Sequence, residues 1–259
     1  MVGKAVTRAL QLVLPAGMKR KIVGLGFNLD RARFQQLATK YLFAPDMKLG
    51  LQFLAERGFQ PRTIIDIGAF EGAWAEMALD VWPSARMIMV EPNADKAPIL
   101  RKRPRLKDAV LIDSLLGADE GRDVCFHVME AGSSVFAEQS PLERTDVILR
   151  QRTLDSVLEG LDPPDFIKID VQGYELEVLK GGAKAVANAG AILIELSLID
   201  INEGAPLLDE CLAYMRRVGF VAYDIFEFHR RPLDGALNQL DILFVPEGSL
   251  LRSDKRHWA

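Results

Sequence analysis

Short, continuous apolar segments alternate with helical segments through most of this chain of 259 residues. Apolar segments without polar alternation are typical of parallel strands that helices cover on both faces. Regular alternation of such strands with helices predicts a doubly wound α/β sheet. We predict seven strands for this sheet, at residues 63–67, 87–90, 109–112, 166–170, 191–196, 220–226 and 239–245.

Two interruptions of this alternation predict antiparallel pairs. Residues 124–128 and 147–152 both have strand character with no clear helix between them, which indicates an inserted antiparallel element. Only about a dozen residues, including Pro232 and Gly235, separate the last two strands, which is too few for a crossover helix. The expected fold is therefore a mostly parallel, seven-stranded, Rossmann-like sheet with an antiparallel C-terminal hairpin.

The charge is distributed unevenly along the chain. Residues 1–40 hold eight lysines and arginines against one aspartate, although the whole chain has a net charge of −4. We predict a basic helical N-terminal extension over residues 1–58, a main domain over residues 59–250 and a C-terminal tail over residues 251–259. The extension could contact an anionic membrane surface, or it could be a solvated helix packed on the domain. The negative overall charge argues against a nucleic-acid partner.

Carboxylates stand at the ends of five predicted strands, where open α/β sheets bind their ligands. They are Asp66, Glu91, Asp113, Asp170 and Glu195. The first is followed by the turn Gly68-Ala69-Phe70-Glu71-Gly72, whose flanking acids would repel a pyrophosphate but attract a cationic ligand. The alternative interpretation is a tight strand–helix turn with a capping acid.

The later strand ends indicate an adenosine ligand. Glu91 follows Gly68 by 23 residues and could accept hydrogen bonds from a ribose diol. Asp113 and Ser114 could reach an adenine, or they could cap a turn.

A series of motifs resembles the FkbM family of methyltransferases. It comprises Asp66 to Gly72, Val90-Glu91-Pro92, Gly132 to Val135, Arg152 to Asp155, Ile167 to Glu175, Val178 to Gly182 and Ile192 to Glu195. The resemblance covers about residues 63–245. Its most specific part is the segment that starts at Ile167 and ends at Gly181.

This resemblance implies a class I methyltransferase fold, S-adenosylmethionine as donor and O-methylation of a sugar or natural product. Asp66, Gly68 and Glu91 would bind the donor, with Ala69, Phe70 and Gly72 completing its loop, and Asp170 would lie beside the reacting centre. The sequence departs from the family at two positions, where Phe70 replaces the usual Asn and Gln172 replaces the common Glu.

The chemistry of O-methylation requires a base near the acceptor hydroxyl. Asp170 is the first candidate, and its alternative role is donor binding or turn capping. His229, expected in the loop between the last two strands, is the second candidate, and it could equally be a solvated histidine. Lys168, within an apolar strand, is expected to form a structural ion pair. Ser133, Ser134 and Glu195 are candidates for binding a small-molecule or glycan acceptor.

Several broader expectations accompany this assignment. Cys125 and Cys211 belong to no Cys-x-x-Cys pair or evident Cys/His motif, so we expect two buried thiols, no metal site and a reducing cytoplasmic location. The rival functions are a non-catalytic binding protein that keeps the fold and a nicotinamide-dependent oxidoreductase. The sequence leaves the oligomeric state open.

Overall fold

The computed structural model describes residues 45–129, 132–139 and 143–257. The predictions for residues 1–44, including the basic helical arm and its membrane contact, lie outside the described residues, and the domain boundaries stay predictions. No helix in the described ranges is both long enough and apolar enough to cross a membrane.

The central sheet has seven strands in the order β3-β2-β1-β6-β7-β9-β8. Five neighbouring strands run parallel, and β9 pairs antiparallel with both β7 and β8. The strands are β1 (Thr63–Ile67), β2 (Arg86–Val90), β3 (Val110–Ile112), β6 (Phe166–Ile169), β7 (Ala191–Ser197), β8 (Phe220–Arg230) and β9 (Leu237–Pro246). The predicted seven-stranded sheet with an antiparallel C-terminal hairpin is confirmed.

Helices cover the sheet, as the apolar strands require. They are α1 (Met47–Glu56), α2 (Ala73–Val81), α3 (Ala97–Lys102), α4 (Leu154–Val157), α5 (Glu175–Lys180), α6 (Ala183–Asn188) and α7 (Leu208–Arg217). Short 3₁₀ turns occupy Ala94–Lys96, Pro104–Leu106 and Leu250–Arg252. The short helices α4 and α6 were not predicted, because neither is long enough to show a helical period.

Both faces of the sheet are buried. On one face Ile65, Ile67 and Ile169 pack with α5 and α7, and on the other Ile64 and Phe166 pack with α1 and α2. Every residue of β1 and β6 is buried, so the ends of these two central strands are held rigidly. These rigid ends provide fixed positions for the residues that follow each strand.

The inserted element is a two-stranded ribbon of β4 (Asp123–Val128) and β5 (Thr145–Arg150). Val124 and Phe126 face inward and form a small apolar cluster with Leu115. The opposite face carries Cys125 and His127, so the expected burial of Cys125 is wrong: its side chain is only partly covered. Alternation along the strand places successive side chains on opposite faces.

The last two strands extend beyond their apolar segments. Strand β8 continues to Arg230, so the expected loop position of His229 is wrong: it pairs with Gln239 inside the hairpin. Cross-strand hydrogen bonds extend the ladder through polar residues that apolar patterning does not detect. Register shifts occur along β8, between Ala222 and Asp224, Ile225 and Glu227, and His229 and Arg230.

Glycine is required at position 68 because the chain segments that follow β1 and β6 lie close together. The φ of Gly68 is +79°, and a Cβ placed there would lie 1.8 Å from the carbonyl oxygen of Asp170. Glycine is therefore required both by the left-handed backbone and by the neighbouring chain. The glycine that the sequence indicated as a ligand contact also has a structural role.

We predict that Gly68→Ala lowers the free energy of unfolding by more than about 3 kcal/mol, because strain and a backbone clash add. Gly160→Ala is the matched control: Gly160 has φ +80°, but a Cβ at this position would meet nothing within 4 Å. That control should lose only about 1 kcal/mol, from the backbone conformation alone. Equal losses in urea denaturation would show that the contact with Asp170 is unimportant.

Candidate active site

A cleft opens above the carboxyl ends of β1, β2 and β6. Its volume is about 770 Å³ including the open mouth. Leu115, Leu116 and Phe126 contribute apolar side chains to its lining, and Glu91 and Asp170 contribute acidic ones. The remaining lining residues are Ile67, Gly68, Phe70, Val90, Pro92, Ser114, Ser133, Val135, Val171, Gln172 and Tyr174. The cleft lining thus combines apolar side chains with acidic ones.

The loop after β1 uses its own amide groups within the protein. The amides of Gly68 and Ala69 donate to the carbonyl of Val90, at 2.9 and 3.1 Å. The amide of Phe70 donates to Glu91 Oε2 at 2.8 Å, and that of Gly72 donates to Ala69. A loop that cradles phosphate needs amide groups that point at the ligand. These four amides donate to groups of the protein and do not point at a ligand in the cleft.

Glu91 organises the floor of the cleft. Its Oε1 accepts a hydrogen bond from the amide of Asn93 at 2.8 Å, and its Oε2 accepts the one from Phe70. Burial raises the pKa of Glu91, although these two hydrogen bonds oppose the shift. Each carboxylate oxygen still has a further lone pair, which a ribose hydroxyl could use.

Phe70 adopts an unusual backbone conformation for a large side chain, with φ +47°. Its ring lies 3.9 Å from Lys96 Nζ, which also pairs with Glu71 at 3.1 Å. Asparagine tolerates this left-handed region better than other non-glycine residues. In this chain Phe70 adopts the left-handed conformation, and its ring makes a cation–π contact with Lys96.

Lys168 joins two carboxylates below the cleft, which confirms the expected ion pair. Its Nζ lies 3.2 Å from both Asp66 Oδ1 and Asp170 Oδ2. Burial alone would lower the pKa of Lys168, but Asp170 and Asp66 outweigh that effect and raise it. Burial raises the pKa of Asp66, with Lys168 opposing the shift. Asp66 is fully buried and is not among the residues that line the cleft, so its donor-binding role stays a prediction.

Gln172 connects the cleft to a second group of polar residues. Its backbone is left-handed, with φ +54°, and its Nε2 donates to Asp170 Oδ1 at 2.9 Å and to Glu195 Oε2 at 2.7 Å. Gln239 Nε2 donates to the same Glu195 oxygen at 2.7 Å. Burial alone would raise the pKa of Asp170, but Lys168 and Gln172 lower it.

The second polar group lies on the antiparallel part of the sheet. Glu195 and Asp241 are directly opposite each other on β7 and β9. His229 Nε2 lies 3.0 Å from Asp241 Oδ2 and 3.7 Å from Glu195 Oε1. The hydrogen bond with Asp241 raises the pKa of His229, whereas burial raises the pKa values of Glu195 and Asp241.

The other predicted site residues occupy different environments. Ser114 and Ser133 line the cleft, whereas Asp113 is exposed outside its lining. Ser134 is buried, and its hydroxyl donates to the carbonyl of Gln172 and accepts from the amide of Phe136. Gly72 is the residue before α2. The ligand-binding roles proposed for these residues stay predictions.

Sequence reasoning missed Asp241 and Gln239, which contact His229 and Glu195. Both lie within the last strand, and neither follows the carboxyl end of a strand or belongs to a recognisable motif. An acid within an otherwise apolar strand was the one available indication. Asp241 is such a residue, between Leu240 and Ile242.

Glu175 is a buried carboxyl group beside the cleft. Its Oε1 accepts hydrogen bonds from the amides of Val171 and Gly173, at 3.2 and 2.9 Å. Burial nevertheless raises its pKa to about 7. Between the ordinary pKa of 4.5 and this value, the folded protein keeps a proton that the unfolded chain releases. The contribution of Glu175 to stability is therefore complete below pH 4.5 and is lost as the pH rises through about 7.

We predict that Glu175→Gln, which keeps the acceptor oxygen, removes this pH dependence. Relative to wild type, the variant should gain about 2–3 kcal/mol of unfolding free energy between pH 4.5 and pH 8. Chemical denaturation at a series of pH values measures the difference. Parallel profiles for the two proteins would exclude a buried, titrating Glu175.

The strand order, the acidic strand ends and the cleft together define a Rossmann-like class I methyltransferase fold. Residues 66–222 match the methyltransferase FkbM domain. The chain belongs to this family. The match begins at Asp66 and includes Asp170, Gln172 and Glu195.

Solved methyltransferases show similarity at low sequence identity. A methyltransferase FkbM from Methylobacillus flagellatus KT is 17% identical, with a TM-score of 0.47 over 70% of this chain. This chain spans only 43% of that protein. A 1,6-didemethyltoxoflavin-N1-methyltransferase from Burkholderia thailandensis, solved with S-adenosylhomocysteine, is 13% identical, with a TM-score of 0.42, over 90% of this chain and 91% of its own. No curated protein sequence matches this chain.

Proposed function

We propose that this protein transfers a methyl group from S-adenosylmethionine to a hydroxyl oxygen of a sugar or natural product. The observation that carries the proposal is the pairing of an apolar cleft wall with Glu91 and Asp170, within a domain of the FkbM family. S-adenosylmethionine supplies a methyl group on a positively charged sulfur.

The residues of the cleft fit such a donor. Leu115, Leu116 and Phe126 offer apolar surface for an adenine, and Glu91 offers acceptor lone pairs for a ribose diol. Asp170 provides a carboxylate to attract the cationic end of the donor in a partly dry cleft. The chemistry of the lining therefore matches a cationic nucleoside.

The same loop disfavours a nicotinamide dinucleotide. A pyrophosphate would need free amide donors, but the amides of Gly68, Ala69 and Phe70 are already bonded inside the protein. Glu71 and Glu91 would also repel it. The bonding of this loop therefore supports a cationic nucleoside over a nicotinamide dinucleotide.

Glu91→Gln should weaken binding of S-adenosylhomocysteine by about 10-fold or more, because the amide nitrogen cannot accept a hydrogen bond. Isothermal titration calorimetry on the purified protein measures the affinity. Glu120→Gln is the matched control, since Glu120 also accepts a backbone hydrogen bond, from Thr153, but lies outside the cleft lining. Lack of binding by wild type would contradict the proposed donor, and equal affinities would remove Glu91 from its site.

The acceptor hydroxyl is proposed to approach Asp170 from the side of Gln172. Asp170 is the carboxylate that both lines the cleft and bonds to the second polar group through Gln172. An oxygen nucleophile must lose its proton as the new bond to carbon forms. Asp170 would receive that proton, while Lys168 and Gln172 hold its carboxylate in place.

Asp170→Asn should lower the turnover number by about 100-fold or more, because an amide cannot accept the proton. Methyl incorporation from radiolabelled donor into a panel of hydroxylated sugars and natural products provides the assay, and S-adenosylhomocysteine affinity, measured in parallel, reports any loss of the donor contact separately. A lost affinity with intact turnover would make Asp170 a donor-binding residue. Donor binding without methylation of any tested acceptor by the wild type would favour the non-catalytic alternative.

A further inference from the structure

A second site adjoins the donor cleft on the antiparallel strands. We propose that Glu195, His229 and Asp241 bind a divalent metal ion of the manganese, cobalt or zinc type. The side chains come from β7, β8 and β9, and their three ligand atoms lie within 4.8 Å of one another. They are not among the residues that line the donor cleft.

The spacing of the three atoms suits one ion. His229 Nε2 is 3.0 Å from Asp241 Oδ2 and 3.7 Å from Glu195 Oε1. Atoms that share an ion at bond lengths of about 2.0–2.2 Å lie roughly 3–4 Å apart. The third separation, between Glu195 and Asp241, is no more than 4.8 Å, and an ion would take the place of the His229–Asp241 hydrogen bond. Imidazole with carboxylates is a ligand set for borderline cations.

Neighbouring side chains orient the proposed ligands. Gln172 and Gln239 both donate to Glu195 Oε2, at 2.7 Å each, and leave Oε1 turned towards His229. Outer hydrogen bonds of this kind hold metal ligands in position and contribute to affinity. The sheet register reinforces the arrangement, because Glu195 and Asp241 are cross-strand partners. The site is therefore fixed by structure that is independent of any ion.

The local charge also favours a cation. The side chains of Glu195 and Asp241 are only 10% and 7% exposed, and Asp170 lies beyond Gln172. Lys168, the nearby lysine, is already shared by Asp66 and Asp170. Buried carboxyl groups require a compensating charge or a proton, and a dication would neutralise two of them.

One side of the site remains accessible. The His229 side chain is 39% exposed, so an ion and its remaining water or hydroxyl ligands could reach the three side chains from solvent. A cation there would lie on the proposed acceptor side and could acidify an acceptor hydroxyl for Asp170. That catalytic role rests on the proposed methyl transfer, whereas metal binding itself does not.

Titration of the chelator-treated, dialysed full chain with MnCl₂ tests the site. Calorimetry and the loss of the electron paramagnetic resonance signal of free Mn²⁺ should show one ion per chain. His229→Ala and Asp241→Asn should each weaken binding by about 10-fold or more. If Asp241→Asn does not fold, His229→Ala still provides the test, because the His229 side chain is partly exposed and its replacement is easier to tolerate.

His127→Ala is the matched control. His127 belongs to the other convergent trio in the described residues, with Cys125 and Asp146 on the ribbon. It should leave the calorimetric Mn²⁺ affinity unchanged if the ion binds at Glu195, His229 and Asp241. Absence of Mn²⁺ binding, or equal affinity in His229→Ala, would overturn the proposal. S-adenosylhomocysteine binding, measured separately without metal, reports on the donor site, so the two proposals can fail independently.

Discussion

The organisation of the site depends on one buried ammonium group, that of Lys168. Its Nζ bridges Asp66 on β1 and Asp170 after β6, and it lies 3.4 Å from the carbonyl oxygen of Gly68. Burying an ion pair gains little net stability, but it imposes geometry because neither charge can be left without a partner. Lys168 thus holds the carboxylates of Asp66 and Asp170 in place at the ends of β1 and β6, which the sheet already pairs.

The glycine at the first strand end follows from the same approach. The amide of Asp170 donates to the carbonyl of Ile67, and the carbonyl oxygen of Asp170 occupies the space that a side chain at position 68 would need. The loop then turns back, and its amides bond to Val90 and Glu91 on the next strand. A motif that could be interpreted as a ligand-binding loop is therefore equally a connection among β1, β2 and β6. The acidic residues of this loop, rather than its glycines, indicate which class of ligand it would bind.

The parallel half of the sheet could be predicted because its strands are apolar and its functional groups stand at strand ends. Asp66, Glu91 and Asp170 all follow that rule, and the ion pair of Lys168 could be inferred from its place in a buried strand. The antiparallel half follows a different rule. His229 and Asp241 lie inside β8 and β9, and their approach depends on register shifts and on pairing across the hairpin. The approach of these two side chains cannot be deduced from local patterning, since a shift of one residue in the strand pairing changes the face of every side chain.

Gln172 links the carboxylate at the end of β6 to the polar residues on the antiparallel strands by hydrogen bonds. Its amide group donates to Asp170 and Glu195 simultaneously, so it holds two carboxyl groups near each other without adding a third charge. A glutamate at position 172 could only accept hydrogen bonds when ionised, and it would repel both neighbouring carboxylates. The left-handed backbone at Gln172 points its side chain into this position, and Ser134 and Asn202 stabilise that backbone by donating to its carbonyl. Gln172 therefore connects Asp170 with Glu195 without placing a further negative charge between the cleft and the antiparallel strands.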